Sequence, residues 1–173
     1  MRTSSNVVLK GDAWFETINK LKPIIDTFYD VYVLAIAIGI NSDKQIESLD
    51  TALFPDEKFE INRSMLLQNS PTLDLLFKSA MITTSNVDLS EDLRMELAFN
   101  DDARSEEIKN FNHVGFLTKF ANYGVSQLAQ KLTDDPLENI EAINKYIVEC
   151  ADGLGFDEFD LDELDISDSE LGG

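Results

Sequence analysis

The sequence predicts an all-α fold, an orthogonal bundle of about five to seven helices with an acidic C-terminal tail. Three observations support this prediction. Apolar residues recur at three- and four-residue spacing through most of residues 12–151. Strand-forming residues cluster only briefly, at 6–9, which allows a short N-terminal strand, and at 81–84. The 173 residues are 43% apolar, which is enough to form a core.

Helix-start signals divide the first part of the chain. Asp12 is a good N-cap residue, and apolar residues follow it at helical spacing. Proline is favourable in a first turn, so a second helix is expected from Pro23 to about Ile40. Its apolar half, residues 31–40, would span roughly 15 Å, which suits a buried helix and is about half of a bilayer core.

The second part of the chain is also expected to be helical. Residues 43–61 look irregular, and a short helix is expected over 62–68. Further starts are expected at Ser70-Pro71, at Ser90, and at Asp135-Pro136 for a helix that reaches Ala151. The longest helical pattern, residues 106–132, predicts one helix, and its glycines 115 and 124 are often signs of close helix packing.

Charge is unevenly distributed along the chain. The protein has 14 basic and 33 acidic residues, a net charge of −19, and nine of the acids lie in residues 152–173, which contain no Lys or Arg. This change of composition predicts a helical domain, 1–151, and an acidic-hydrophobic tail, 152–173. So negative a chain repels nucleic acids and anionic membranes, so we expect no direct nucleic-acid or membrane binding.

Several kinds of chemistry lack the residues that they need. One cysteine, Cys150, and one histidine, His113, allow neither an internal disulfide nor a Cys/His zinc cluster, and phosphate-binding glycine loops are absent. A nuclease-like string of Asp56, Glu107 and Lys109 is expected by chance among 33 acids, and a metal-dependent nuclease that uses these residues is only a third hypothesis. We therefore expect no enzyme, cofactor or metal site. Trp14 and Cys150 are expected in the core, and His113 is expected to be a polar residue on a helix surface or between helices.

The tail is more than a solvated segment. Acids alternate there with two phenylalanines and several aliphatic residues, a composition typical of segments that fold upon a protein partner. The apolar side chains would anchor the tail while the acids steer it toward a basic surface. The predicted partner-binding residues are Phe156, Phe159, Leu161, Leu164, Ile166, Asp157, Asp160 and Asp162.

Two alternatives to this interpretation remain open. The tail can be a plain solubilising segment, or it can imitate DNA and inhibit a nuclease or another DNA-binding protein. A helix over residues 152–170 would carry one carboxylate per roughly 3 Å, close to the roughly 3.4 Å between phosphates along one DNA strand.

Two segments of the body resemble a known family. They are YDVYVLAIAIG at residues 29–39 and FANYGVSQL at 120–128. In order and spacing they are similar to small bacterial proteins associated with DNA phosphorothioation (Dnd) modification–restriction operons. Ile40 departs from the family, which usually has an aromatic residue there. The resemblance covers roughly residues 13–132, implies an anti-phage defence context, and carries over no functional residue.

Together these observations give the leading hypothesis. The protein is expected to be a cytoplasmic, non-enzymatic accessory subunit of a defence system that binds a larger protein, such as an ATPase or nuclease component. The single thiol fits a reducing compartment, and no secretion signal is evident at the N-terminus. The sequence leaves open whether the protein serves host defence or phage counter-defence.

Overall fold

The computed structural model describes residues 6–99 and 106–152, with side chains at 6–99 and 108–150. These residues form a mostly helical bundle with one two-stranded sheet, which confirms the predicted all-α class and its N-terminal strand. In chain order the elements are β1 (Val7–Lys10), α1 (Asp12–Leu21), α2 (Phe28–Asn41), β2 (Lys58–Ile61), α3 (Arg63–Gln68), α4 (Ser70–Thr83), α5 (Glu91–Phe99), α6 (Glu106–Lys109), α7 (His113–Lys131) and α8 (Pro136–Asp152).

The small sheet closes one side of the core. β1 and β2 are antiparallel, with Val7 opposite Ile61 and Leu9 opposite Phe59. Val7, Leu9 and Ile61 are buried, so alternate side chains of the strands face the helices. The segment 43–61, predicted to be irregular, therefore contains a strand at its end.

The start of α2 differs from the prediction. The helix begins at Phe28, because the Thr27 hydroxyl caps it by accepting a hydrogen bond from the Asp30 amide at 3.1 Å. Pro23 lies in a turn after α1, where the amides of Ile24 and Ile25 both bond to the Leu21 carbonyl at 2.8 Å. The prediction that Pro23 opens this helix is wrong.

Asp12 is also placed differently. It is the first residue of α1, and Gly11, at φ 132°, occupies the cap position. The Asp12 carboxylate instead accepts hydrogen bonds from the amides of Leu53 and Phe54, at 3.0 and 2.9 Å. Asp12 therefore ties the loop between α2 and β2 to the start of α1.

The predicted helix over 106–132 is two helices. The chain breaks after the short α6, and Asn112 caps α7 by accepting a hydrogen bond from the Gly115 amide at 2.9 Å. An Asn side chain that satisfies a free helix amide stabilises a new helix start, which a spacing pattern alone does not reveal.

Helices α2 and α7 form the centre of the core and approach each other closely. A Cβ added at Gly124 would overlap the carbonyl oxygen of Ala35, and one added at Gly39 would overlap that of Phe120. Only residues without a side chain allow this separation. The expectation of close packing at Gly124 is confirmed, and Trp14, Tyr32, Phe77 and Phe120 are buried around it.

Helices α4 and α5 form a hairpin beside this centre. α4 begins at the predicted Ser70-Pro71 and includes residues 81–83 of the segment that had strand-forming character. Arg94 of α5 donates a hydrogen bond from Nε to the Met81 carbonyl at 2.8 Å, near the C-terminal end of α4. In residues 6–99 and 106–152, no helix has both the length and the apolar character needed to cross a bilayer.

Candidate interaction surface

The predicted partner-binding residues lie beyond the described part of the chain. All eight are in the tail, and the described residues end at Asp152 in the last turn of α8. Helix α8 leads directly into the tail, so the side chains that it exposes lie next to the predicted binding segment.

The inner side of α8 is held on the body at its N-terminal end. The Asn139 side chain accepts a hydrogen bond from the Thr133 amide at 2.8 Å and donates one to the Thr133 carbonyl at 3.0 Å. Asp135 accepts a hydrogen bond from the Leu137 amide at 2.8 Å, which starts the helix at Pro136 as predicted. Asn139 is buried, so these bonds fix the rotation of α8.

Contacts near the other end of α8 hold the same inner side. The Asn41 amide nitrogen lies 3.3 Å from both the Tyr146 hydroxyl oxygen and the Cys150 sulfur. The Lys131 ammonium lies 5.3 Å from the centre of the Tyr146 ring. Burial raises the pKa of Tyr146, against the hydrogen bond from Asn41. Cys150 is only partly buried, which corrects its expected place in the core.

A narrow apolar crevice of about 30 Å³ lies between α8, α2 and α7. Leu34 and Ile38 of α2, Leu128 of α7, and Ile143 and Tyr146 of α8 line it. Because these are the residues that join α8 to the core, we interpret the crevice as a packing gap in that contact.

The outer side of α8 carries a second apolar stripe. Leu137, Ile140, Ile147 and Val148 are each between 39% and 71% exposed. The last three lie three, ten and eleven residues after Leu137, which places all four within an arc of roughly 100° on the helix surface. Residues 139, 143, 146 and 150 occupy a different arc, on the body side. We call Leu137, Ile140, Ile147 and Val148 the outer stripe.

Charged residues border the outer stripe. Glu141, Lys145 and Glu149 are exposed and follow one another at four-residue spacing on the side away from the body. Lys145 and Glu149 form a long ion pair of 3.8 Å with both side chains exposed, so it contributes little to stability. Glu138 lies on the same side, which leaves this flank with a net negative charge.

The nuclease-like string does not assemble into a metal site within the described residues. Asp56 and Lys109 are both exposed, on a turn before β2 and at the end of α6, and the side chain of Glu107 lies outside the described part. Among the described residues no three His, Cys, Asp or Glu side chains are grouped so that they could hold a metal ion.

His113 packs against two aromatic rings. Its ring centre lies 4.3 Å from that of Phe77 and 5.6 Å from that of Phe111, and Nδ1 lies 3.0 Å from the Phe111 carbonyl oxygen. Burial lowers the pKa of His113, although the bond to the Phe111 carbonyl opposes this shift. These contacts agree with the expectation of a polar residue between helices.

A polar cluster around Asp43 joins two loops. The Asp43 carboxylate accepts hydrogen bonds from the amides of Ser85 and Asn86, both at 3.0 Å. Desolvation acts to raise the pKa of Asp43, but the hydrogen bonds from Ser85 and Asn86 outweigh it, and the pKa lies below its ordinary value. The cluster fixes the loop after α2 against the loop after α4.

Sequence reasoning missed the outer stripe. The apolar spacing predicted a helix from Asp135-Pro136 to Ala151, but it did not divide the apolar residues of that helix between an inner and an outer face. The available signal was the width of the apolar arc, which exceeds what one helix–body contact can cover.

Comparison with known proteins finds no matching family model, no matching curated protein and no matching solved structure.

Proposed function

We propose that this protein is a non-enzymatic accessory subunit of a bacterial anti-phage defence system of the DNA modification–restriction type. In this proposal it binds a larger protein component, an ATPase or a nuclease, through its helical body and its acidic tail. The resemblance of residues 29–39 and 120–128 to Dnd-associated proteins supplies the defence context, and we place the protein in the cytoplasm.

One observation carries the binding part of the proposal. The outer stripe of α8 is apolar and exposed, and α8 leads directly into the tail with its alternating acids and hydrophobic residues. Exposed apolar residues aligned on one helix face are typical of interaction surfaces. Body and tail would thus supply one continuous binding surface.

The polar residues of the interior support the non-enzymatic part. The described residues include four buried polar side chains, and each is engaged in holding the fold, while the Nε2 atom of the half-buried Gln45 is buried without a hydrogen-bond partner. Thr17 and Thr84 bond to the backbone carbonyls of Val125 and Ala80, at 3.5 and 2.6 Å. Asn122 and Asn139 bond to backbone groups, and Asn122 also to the Trp14 side chain.

The test is an affinity capture from nuclease-treated extract of the native host, analysed by mass spectrometry. The full chain and its Phe156→Ala/Phe159→Ala variant serve as baits side by side. We expect one protein to be recovered stoichiometrically by the full chain and to be depleted with the variant, because the phenylalanines would be its anchors. A protein recovered equally by both baits would leave the tail as a solubilising segment.

The charge of the chain favours a second candidate function, an inhibitor that imitates DNA. If residues 152–170 formed a helix, their nine acids would give one carboxylate per roughly 3 Å, close to the phosphate spacing of roughly 3.4 Å along one DNA strand. This function predicts that the captured proteins bind DNA, are displaced by added duplex, and are lost steeply as salt rises. Retention of the partner in the presence of excess duplex would exclude it.

A further inference from the structure

We infer that the outer stripe of α8 is the docking site for a basic amphipathic helix of the partner protein. This inference deepens the proposed function and rests on it, because it names the chemistry of the partner segment and its place on the body. It is carried by the described part of the chain, independently of the tail residues.

The geometry of the stripe sets the length of the ligand. From Leu137 to Val148 the stripe runs for eleven residues, roughly 16 Å along the helix axis. A partner helix of about three turns covers this distance and presents apolar residues at i, i+3, i+4 and i+7 on one face. Asn144 lies within the same arc and is exposed, so the centre of the stripe is polar. The partner helix can therefore carry a polar side chain opposite Asn144.

The net negative charge beside the stripe favours a partner helix that is positively charged. Glu138, Glu141 and Glu149 border it, with Lys145 as the basic residue among them. A partner helix with Lys or Arg along the facing flank would place opposite charges next to each other. Such a flank speeds association and sets orientation, while the apolar contacts supply most of the affinity.

The same charges disfavour two other occupants. A second copy of this chain would bring two acidic α8 flanks together between molecules that each carry −19. The tail of the same chain, with nine acids and no basic residue, would be repelled by Glu141 and Glu149 in the same way. A basic segment from another protein is the occupant that both the apolar stripe and its flank fit.

The test measures binding of a defined probe to the full chain. The probe is a fluorescently labelled peptide of Leu, Lys and Ala, with leucines at i, i+3, i+4 and i+7, in salt of about 0.15 M. The comparison peptide has the same composition with its leucines scrambled. Fluorescence anisotropy gives the affinity of each peptide, and sedimentation gives the oligomeric state of the protein.

The decisive comparison is between two charge-neutral double variants. Ile147→Ser/Val148→Ser removes half of the outer stripe, and Leu67→Ser/Leu75→Ser removes two leucines of similar exposure from α3 and α4. All four side chains are exposed, so both variants should fold, which thermal unfolding checks. We expect the stripe variant to weaken binding of the helical peptide at least tenfold and the control variant to leave it within about twofold.

Four results would overturn the inference. These are no binding of the helical peptide, equal binding of the scrambled peptide, a dimer that the stripe variant dissociates, and tighter peptide binding by Phe156→Ala/Phe159→Ala. The first two remove the basic helix as ligand, the third assigns the stripe to a second copy, and the fourth assigns it to the tail.

The affinity capture separates this inference from the proposed function. If the captured partner is lost with Phe156→Ala/Phe159→Ala but retained by Ile147→Ser/Val148→Ser, the accessory function stands and the α8 docking site is wrong. If neither variant changes the capture, both fail. We expect both variants to deplete the same partner.

Discussion

At the scale of single residues, Asn122 shows what the segment 120–128 does in this fold. Its side chain accepts a hydrogen bond from the Trp14 indole at 3.0 Å and donates one to the Ile46 carbonyl at 3.1 Å. It thus joins α7, α1 and the loop after α2. With Gly124 two residues later at the contact with Ala35, this stretch serves packing.

Replacing Asn122 therefore tests the polar centre of the fold. Asn122→Ala leaves the Trp14 N–H and the Ile46 carbonyl without this partner, so we expect the free energy of unfolding to fall by about 1–3 kcal/mol. Urea unfolding followed by Trp14 fluorescence measures it. The control is Asn144→Ala on the exposed side of α8, which should change stability by less than about 0.5 kcal/mol. Equal midpoints for the two variants would contradict the assigned role.

His113 gives a prediction about pH. Its pKa in the folded protein lies below the ordinary value of 6.5 because burial against Phe77 and Phe111 disfavours the charged ring. The unfolded chain therefore binds a proton more readily, and the stability contributed by the neutral ring is present above pH 6.5 and lost as pH falls through and below it.

The measurement compares His113→Gln with the natural chain. We expect the free energy of unfolding of the natural chain to decrease more than that of His113→Gln between about pH 7.5 and 5.5, because only the natural chain has the imidazole to protonate. Carboxylates titrate in both proteins and cancel in the comparison. Parallel pH profiles would show that the ring is solvated in the folded state.

At the scale of secondary-structure elements, the sequence predicted where helices exist better than where they begin. The apolar spacing predicted one helix over residues 106–132, which contains α7, and a helix from Asp135-Pro136 to Ala151, which corresponds to α8. The start predicted from Pro23 was wrong because a proline also fits a turn. The start of α2 depends instead on the Thr27 hydroxyl and on Asp30. The break before α7 depends on the Asn112 cap. The cap makes a helix that starts at His113 more stable than a continuous helix by only a small free energy.

Helix α8 shows that apolar spacing can predict a helix without predicting which of its faces contacts the body. Its apolar residues were evident in the sequence, but spacing does not tell which of two adjacent arcs faces the body. The hydrogen bonds of Asn139 with Thr133 and of Asn41 with Tyr146 decide this, since they fix the rotation of the helix. The width of the apolar arc in the sequence indicates that one part of it stays exposed, but only the rotation of the helix shows that this part is the outer stripe.

At the scale of the whole molecule, charge and apolar surface coincide at the C-terminal end of the chain. Residues 152–173 carry nine of the 33 acids, and the helix before them has an apolar stripe with an acidic border. An acidic tail that only solubilises requires neither the stripe nor the phenylalanines. The combination favours a partner surface that is basic and apolar at once.

The central claim is that apolar anchors, more than charge, hold the partner. The most direct measurement is the dissociation constant of the captured partner for two double variants of the full chain, Phe156→Ala/Phe159→Ala and Asp160→Asn/Asp162→Asn, in salt of about 0.15 M. The accessory-subunit account predicts at least tenfold weaker binding for the phenylalanine pair and less than about threefold for the aspartate pair. A larger loss for the aspartate pair, with displacement of the partner by duplex DNA, would contradict it and favour the DNA mimic.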